Sequence, residues 1–258
     1  MGVFQNNLLA GAAAAASAGG GGFYDHQIEQ SCRFDKADSS RLYRTLGTPT
    51  NIDKGTFSVW FKRTIISTDM QLYHVLDGGG INWYFTSADV LSGSVGDGSD
   101  AGTSTGVFRD IGGFSHLVIA VDTTQGSNDD RVKVYLNGTQ DTGFTGSISS
   151  GTDFKLNKSG NVLHIGHNTG ASIGLDGYLA EFIFIDGQQL APTSFAESKN
   201  GVWIPKNPSS LTFGNNGFHL KFENASDLGN DSSGNNNDFT ASGLGADHQV
   251  LDSPTFGS

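Results

Sequence analysis

The run Tyr178-Leu-Ala-Glu-Phe-Ile-Phe-Ile-Asp186 puts Tyr178, Ala180, Phe182 and Phe184 on one side of an extended chain and Leu179, Glu181, Ile183 and Ile185 on the other. Both sides are largely apolar, which predicts a central strand covered on both faces. Asp-Gly pairs at 176–177 and 186–187 close it at each end. Three more segments follow the same grammar. His116–Asp122 is a short apolar run. Arg131–Gly138 alternates, with Val132, Val134 and Leu136 inward and Asn137-Gly138 as a hairpin turn. Thr56–Arg63 carries aromatics on both faces. Helical signals are confined to an N-terminal alanine stretch and a turn at Thr193–Lys199, entered at Pro192 and stopped by Gly201. The pattern predicts an all-β fold of two antiparallel sheets.

Composition supports that reading. The chain has 258 residues, 37 of them glycine, and only 16% are charged, which suits many short strands joined by tight turns. All-β sandwiches reach this length as one unit, and neither an internal repeat nor a charged linker divides residues 23–258. The formal net charge of -11 repels phosphate backbones and argues against nucleic-acid binding. Cys32 is the single cysteine, so no intrachain disulfide forms.

The phrases Phe57–Arg63, His116–Asp122, Arg131–Gly138, Leu163–Gly166 and Gly177–Gly187 resemble the laminin-G-like branch of the concanavalin A-like lectin/glucanase superfamily. Ile185–Glu197, Gly201–Pro205, Gly217–Phe222 and Leu228–Asp238 are similar to a version of this domain in structural proteins of tailed, especially marine, bacteriophages. That resemblance covers roughly residues 30 to 255. It implies a two-sheet antiparallel jelly roll in a virion, as a fibre, appendage or head decoration, with surface glycans as ligands. In many laminin-G-like domains the words found here at Phe218–Phe222 and Asp231–Phe239 come first. Their late position suggests a circular permutation in which residues 206–258 close the sandwich and the two ends meet.

Residues 1–22 differ from the rest. Leu8-Leu-Ala-Gly-Ala-Ala-Ala-Ala-Ala-Ser-Ala18 is followed by four glycines, and no Lys or Arg precedes the run, so a secretory signal is poorly formed. It is also too short and too interrupted to cross a membrane. The favoured reading is an assembly arm, with Leu8, Leu9, Ala12 and Ala16 docking it onto other virion proteins or bundling it as a homotrimer; the alternative, a secreted or surface carbohydrate-binding lectin, requires the N-terminus to be processed.

For chemistry, the superfamily's glucanases need two carboxylates on one strand face, as in Glu-x-Asp-x-x-Glu. Here Glu181 and Asp186 fall on opposite faces, which points to a non-enzymatic protein; Glu181 is expected to pair with a cation, Arg63 or Arg131. His164 and His167 lack zinc-motif spacing, and on a regular strand they face opposite ways. No cofactor is implied, although calcium has candidate oxygen ligands in Asp176, Asp231 and Asn235, which would otherwise bond turn amides. A glycan-binding face could draw on Trp83, Tyr84 and Trp203 for stacking and on Asp97 and Asp100 for hydroxyls; the alternative is that Trp83 and Trp203 are core aromatics, as Trp60 is expected to be.

Overall fold

The structure is a computed structural model that describes residues 22–75, 81–96, 100–169 and 173–255. Its elements are β1 (Ser31–Phe34), β2 (Arg41–Thr45), β3 (Lys54–Arg63), β4 (Met70–Val75), β5 (Ile81–Phe85), β6 (Val90–Ser94), β7 (Ala101–Val107), β8 (Ser115–Asp122), α1 (Asn128–Arg131), β9 (Val132–Leu136), β10 (Thr139–Gln140), β11 (Thr145–Ser147), β12 (Val162–Ile165), β13 (His167–Asn168), β14 (Ile173–Gly174), β15 (Gly177–Asp186), β16 (Ala196–Lys199), β17 (Val202–Pro205), β18 (Phe218–Leu220), β19 (Thr240–Ser242) and β20 (Gln249–Val250). Leu8, Leu9, Ala12, Ala16 and Asp97 lie outside the described residues.

Two antiparallel eight-stranded sheets make the sandwich. The first runs β10-β9-β8-β3-β15-β1-β20, with β18 also paired to β15; the second runs β11-β7-β6-β5-β4-β12-β2-β19. The C-terminal strands are distributed over both sheets: β18 and β20 join the first, β19 the second. Beside β20, the Ser253 and Thr255 hydroxyls donate to the Ile28 carbonyl, and the Ile28 amide donates to Thr255 Oγ1, so the two ends of the described chain lie together.

Between the sheets lies a single aromatic core. Phe57 of β3 stacks on Tyr73 of β4 and on Phe184 of β15, at ring-centroid distances of 4.2 and 4.3 Å. Phe182, Phe218 and Phe154 close around them edge-on or tilted. Each such side chain removed from water contributes about 1.5–3 kcal/mol, which makes this cluster the main stabilising feature. The Asn137-Gly138 hairpin has the expected positive φ values of 47° and 80°.

Three local expectations are corrected. The Thr193–Lys199 turn is a 3-10 turn over Pro192–Ser194 that passes directly into strand β16, because Ala196–Lys199 pairs with Val202–Pro205. The alternation along β15 breaks at Glu181: its φ is 45° and the register with β3 shifts between Ala180 and Ile183, as in a β-bulge. Leu179, Phe182 and Phe184 therefore face the core, while Ala180, Ile183 and Ile185 face outward. The third correction concerns the histidines after β12. Gly166 at φ +88° interrupts the extended backbone, and a Cβ there would point inward onto the Phe34 ring. His167 is thereby set within electrostatic range of His164 and His74 instead of on the opposite side.

Candidate functional site

The outward side of β15 is covered by segments around Ile28, Ala196 and Trp203 at one end and around Phe195, Leu211 and Phe213 at the other. Between these coverings Glu181 remains at the floor. It is 6% exposed, and its carboxylate accepts from His219 Nε2 at 2.7 Å, with His26 Nε2 at 3.4 Å on the other oxygen. Burial pushes the carboxyl upward, but the hydrogen bond from His219 and the nearby His26 imidazole outweigh it and hold it at about 2. Thus the partners found beside Glu181 are two imidazoles and not an arginine. Arg63 is instead paired with buried Asp89, and Arg131 donates to the carbonyls of Gln125, Gly126 and Ile148.

Two clefts open over this floor and share His26 and Lys221. The larger, about 380 Å³, is lined by Asn207, Ser209, Leu211, Phe213, Ser232 and Ser233 together with His219. The smaller, about 270 Å³, brings Glu29, Glu181 and Glu223 together with Gln27 and Gln30. Lys221 is held at the shared wall by Glu223 Oε2 at 2.7 Å. The strand that carries His219 is positioned by Asp231, whose Oδ1 accepts from the His219 amide at 2.8 Å. Glu181 itself sits in the left-handed region. For a non-glycine residue that conformation costs about 1–3 kcal/mol, and such strain gathers where a side chain is aimed for use.

The residues proposed from the sequence do not form one site. Trp83 is fully buried in the core, stacked on Phe144 at 5.8 Å with its Nε1 donating to the Ser94 carbonyl, so it has no face to offer a sugar. Its place follows from β5 alternation, which turns Ile81, Trp83 and Phe85 inward. Tyr84, its neighbour, stands on the outer face of the second sheet, whereas Trp203 covers the outer face of the first. Trp203 Nε1 donates to His116 Nδ1 at 3.0 Å, and Trp60 stacks on that same imidazole, buried in the outer covering rather than between the sheets. Asp100 is buried and accepts from the Ser149 amide and the Thr152 hydroxyl.

The oxygen-rich turns bind themselves. Asp231 accepts from the amides of His219, Ser233 and Asn237 and from the Ser233 hydroxyl. Asp176 Oδ1 accepts from the Lys36 amide, and Asn235 Nδ2 donates to the carbonyls of Gly214 and Gly217. Among the described residues no three His, Cys, Asp or Glu side chains are arranged to hold a metal ion. Asp186 is likewise committed: it accepts from the amides of Thr50, Asn51 and Asn216 and from Asn157 Nδ2 at 2.6 Å. It sits on the inner side of the sheet, away from Glu181. Sequence reasoning missed His26, His219 and Lys221. The available signal was His219 itself, a titratable residue between Phe218 and Leu220 in an apolar strand.

Comparison with known proteins gives the following. The Laminin_G_3 family, described as the concanavalin A-like lectin/glucanases superfamily, matches residues 38–188. A candidate carbohydrate-binding protein from Bacteroides ovatus superposes with a TM-score of 0.58 at 14% identity, over 89% of this chain and 62% of its own. The heptameric SAP-like pentraxin of Limulus polyphemus gives 0.47 at 14% identity, over 64% and 78%. Domains LG4-5 of the mouse laminin alpha1 chain give 0.44 at 10% identity, over 64% and 43%. No curated protein sequence matches.

Proposed function

The chain belongs to the concanavalin A-like lectin/glucanases superfamily, and from that premise we propose that it is a non-enzymatic carbohydrate-binding protein of a tailed-bacteriophage virion. The observation that carries the binding reading is the pair of clefts meeting at His26 and Lys221. The larger one joins apolar Leu211 and Phe213 to hydroxyl, carboxamide, imidazole and ammonium groups, which is the mixture a sugar ring requires. The non-catalytic part is supported by the separation of Glu181 and Asp186 onto opposite faces and by the four donors that immobilise Asp186.

The virion setting rests on the resemblance of residues 185–238 to phage structural domains. In this reading residues 1–22 attach the domain to other virion proteins as a fibre, appendage or head decoration, with a homotrimer as the favoured assembly. Mass spectrometry of purified particles would detect the protein, and deleting residues 1–22 would abolish its incorporation. Undiminished incorporation without the arm refutes the attachment role. For binding, a glycan array followed by calorimetry is expected to show affinity that drops about tenfold in Lys221→Ala. An unchanged profile would remove the clefts from the reading.

One observation favours a second reading, glycoside hydrolysis: Glu29, Glu181 and Glu223 line the same small cleft. Turnover of an array-positive glycan that disappears in Glu181→Gln would establish it, while binding without turnover upholds the lectin-like role.

A further inference from the structure

The outer face of the second sheet carries a row of side chains that the clefts do not use. Cross-strand register aligns Tyr43, His164, His74 and Asn82 over β2, β12, β4 and β5. The rings stack in sequence, Tyr43 on His164 at 5.8 Å and His164 on His74 at 4.8 Å, with the Arg41 guanidinium 5.9 Å from the Tyr43 ring. β13 packs against β4 and adds His167. The Asn168 carboxamide ties that hairpin to Asn82 at 2.9 Å.

These groups are buried with donors and acceptors left over. His74, His164 and His167 are 0%, 9% and 6% exposed, and both ring nitrogens of His74, Nδ1 of His164, Nδ1 of His167 and Nε of Arg41 make no hydrogen bond among the described residues. Buried polar groups are almost always satisfied, so several unsatisfied ones in one place mark a missing partner. The surrounding charge tells which kind. Among the described residues, the charges acting on these imidazoles come from Arg41, from Lys36 and from one another; no carboxylate takes part. Arg41 makes no ion pair among the described residues, its Nη1 donating only to the Ser39 carbonyl. In a chain of net charge -11, Arg41 and Lys36 make this a locally positive patch. A metal fits poorly, because among the described residues no three His, Cys, Asp or Glu side chains are arranged to hold one.

We propose that Arg41, His74, His164 and His167 form a binding site for an oxyanion, a carboxylate or sulfate group whose oxygens accept from the Arg41 Nε–H and the imidazole N–H groups. Each neutral imidazole supplies one N–H and the guanidinium a charged donor, so a tetrahedral or planar oxyanion meets several donors at once. Burial already holds His74 near 3 and His164 near 4, and a bound anion would draw both upward.

The test is thermal unfolding of the full chain with inorganic sulfate against sodium chloride at equal ionic strength, in the wild type, Arg41→Gln and His164→Phe. Comparing variants subtracts the general stabilising effect of sulfate. At saturating sulfate the wild type is expected to rise by about 5 °C or more, and both variants to lose most of that rise. Ring-nitrogen NMR should move for His74, His164 and His167 but not for His116, whose nitrogens are bonded to Ser58 and Trp203. A uronic or sulfated oligosaccharide added in place of sulfate, beside its neutral counterpart, tells a glycan substituent from a free ion. Equal sulfate responses in all three proteins, or a rise with Zn2+ and none with sulfate, would overturn the proposal. Lys221→Gln, on the other sheet, should keep the sulfate response whether or not the cleft binds glycans.

Discussion

The two outer faces of the sandwich solve the problem of buried polar groups in opposite ways. On the first sheet the face is apolar and covered, and its buried charge, Glu181, is met by two histidines. On the second sheet three histidines and an arginine are crowded together, and among the described residues donors are left over and no acid is among the charges acting on them. A satisfied charge rigidifies the site that carries it, whereas an unsatisfied cluster stores free energy that a ligand can release. The same contrast separates the two backbone devices. A strained glutamate turns a carboxylate toward the clefts, and an unstrained glycine turns a histidine into the basic row.

The most severe way to break this contrast is Gly166→Ala. The new Cβ would lie 2.4 Å from Phe34 Cδ1 at a φ that L-residues disfavour, so stability should fall by about 3 kcal/mol in denaturant unfolding. A loss below about 0.5 kcal/mol would show that Gly166 does not dictate the turn.

Glu181→Gln comes next. It leaves buried His219 and half-buried His26 facing a neutral amide, and a loss of about 2 kcal/mol at neutral pH is expected. The pH dependence has a definite sign. Because the folded carboxyl lies near 2 and the free one near 4.5, its contribution is complete above pH 4.5 and vanishes as pH falls to 2. The variant should therefore lose the part of the acid-induced decline that falls in that window. An identical pH profile would refute the His219–Glu181–His26 arrangement.

A smaller effect sharpens the other side. His74, His116 and His164 are held well below the ordinary 6.5 by burial, to about 3, 3 and 4. Between pH 6.5 and those values the unfolded chain binds protons that the folded chain does not, so stability declines as pH falls. His164→Phe keeps the stack and removes one titrating group, so the stability curve between pH 6.5 and 4 should flatten. A slope equal to that of the wild type would contradict the burial of that imidazole.

The least perturbing change is Tyr84→Ala. Tyr84 stands on the second sheet, away from the clefts, and glycan affinity should stay within about twofold while Lys221→Ala lowers it. A large loss in Tyr84→Ala would move the glycan site to the opposite face.

Much of the framework was legible from residue order. Val132, Val134 and Leu136 turn inward as their alternation requires, and β15 is central with both faces covered. Trp83 stayed open between a sugar-binding face and the core because tryptophan's polar edge suits both, and only the pairing of β5 between β4 and β6 turns it inward. The candidate site was less legible. His26 and His219 are distant in sequence from Glu181, and a left-handed glutamate carries no local signature that alternation could reveal.

What the sequence by itself determined is the all-β class, most strand positions and the turn at Asn137-Gly138, because hydrophobic period and turn chemistry act over a few residues. Tertiary structure alone decided which side each polar residue of β15 and of the segment after β12 occupies, and with whom it pairs. One positive φ at Glu181 or Gly166 reverses the face of everything that follows it in the strand, and that φ is selected by long-range packing rather than by the neighbours in the chain.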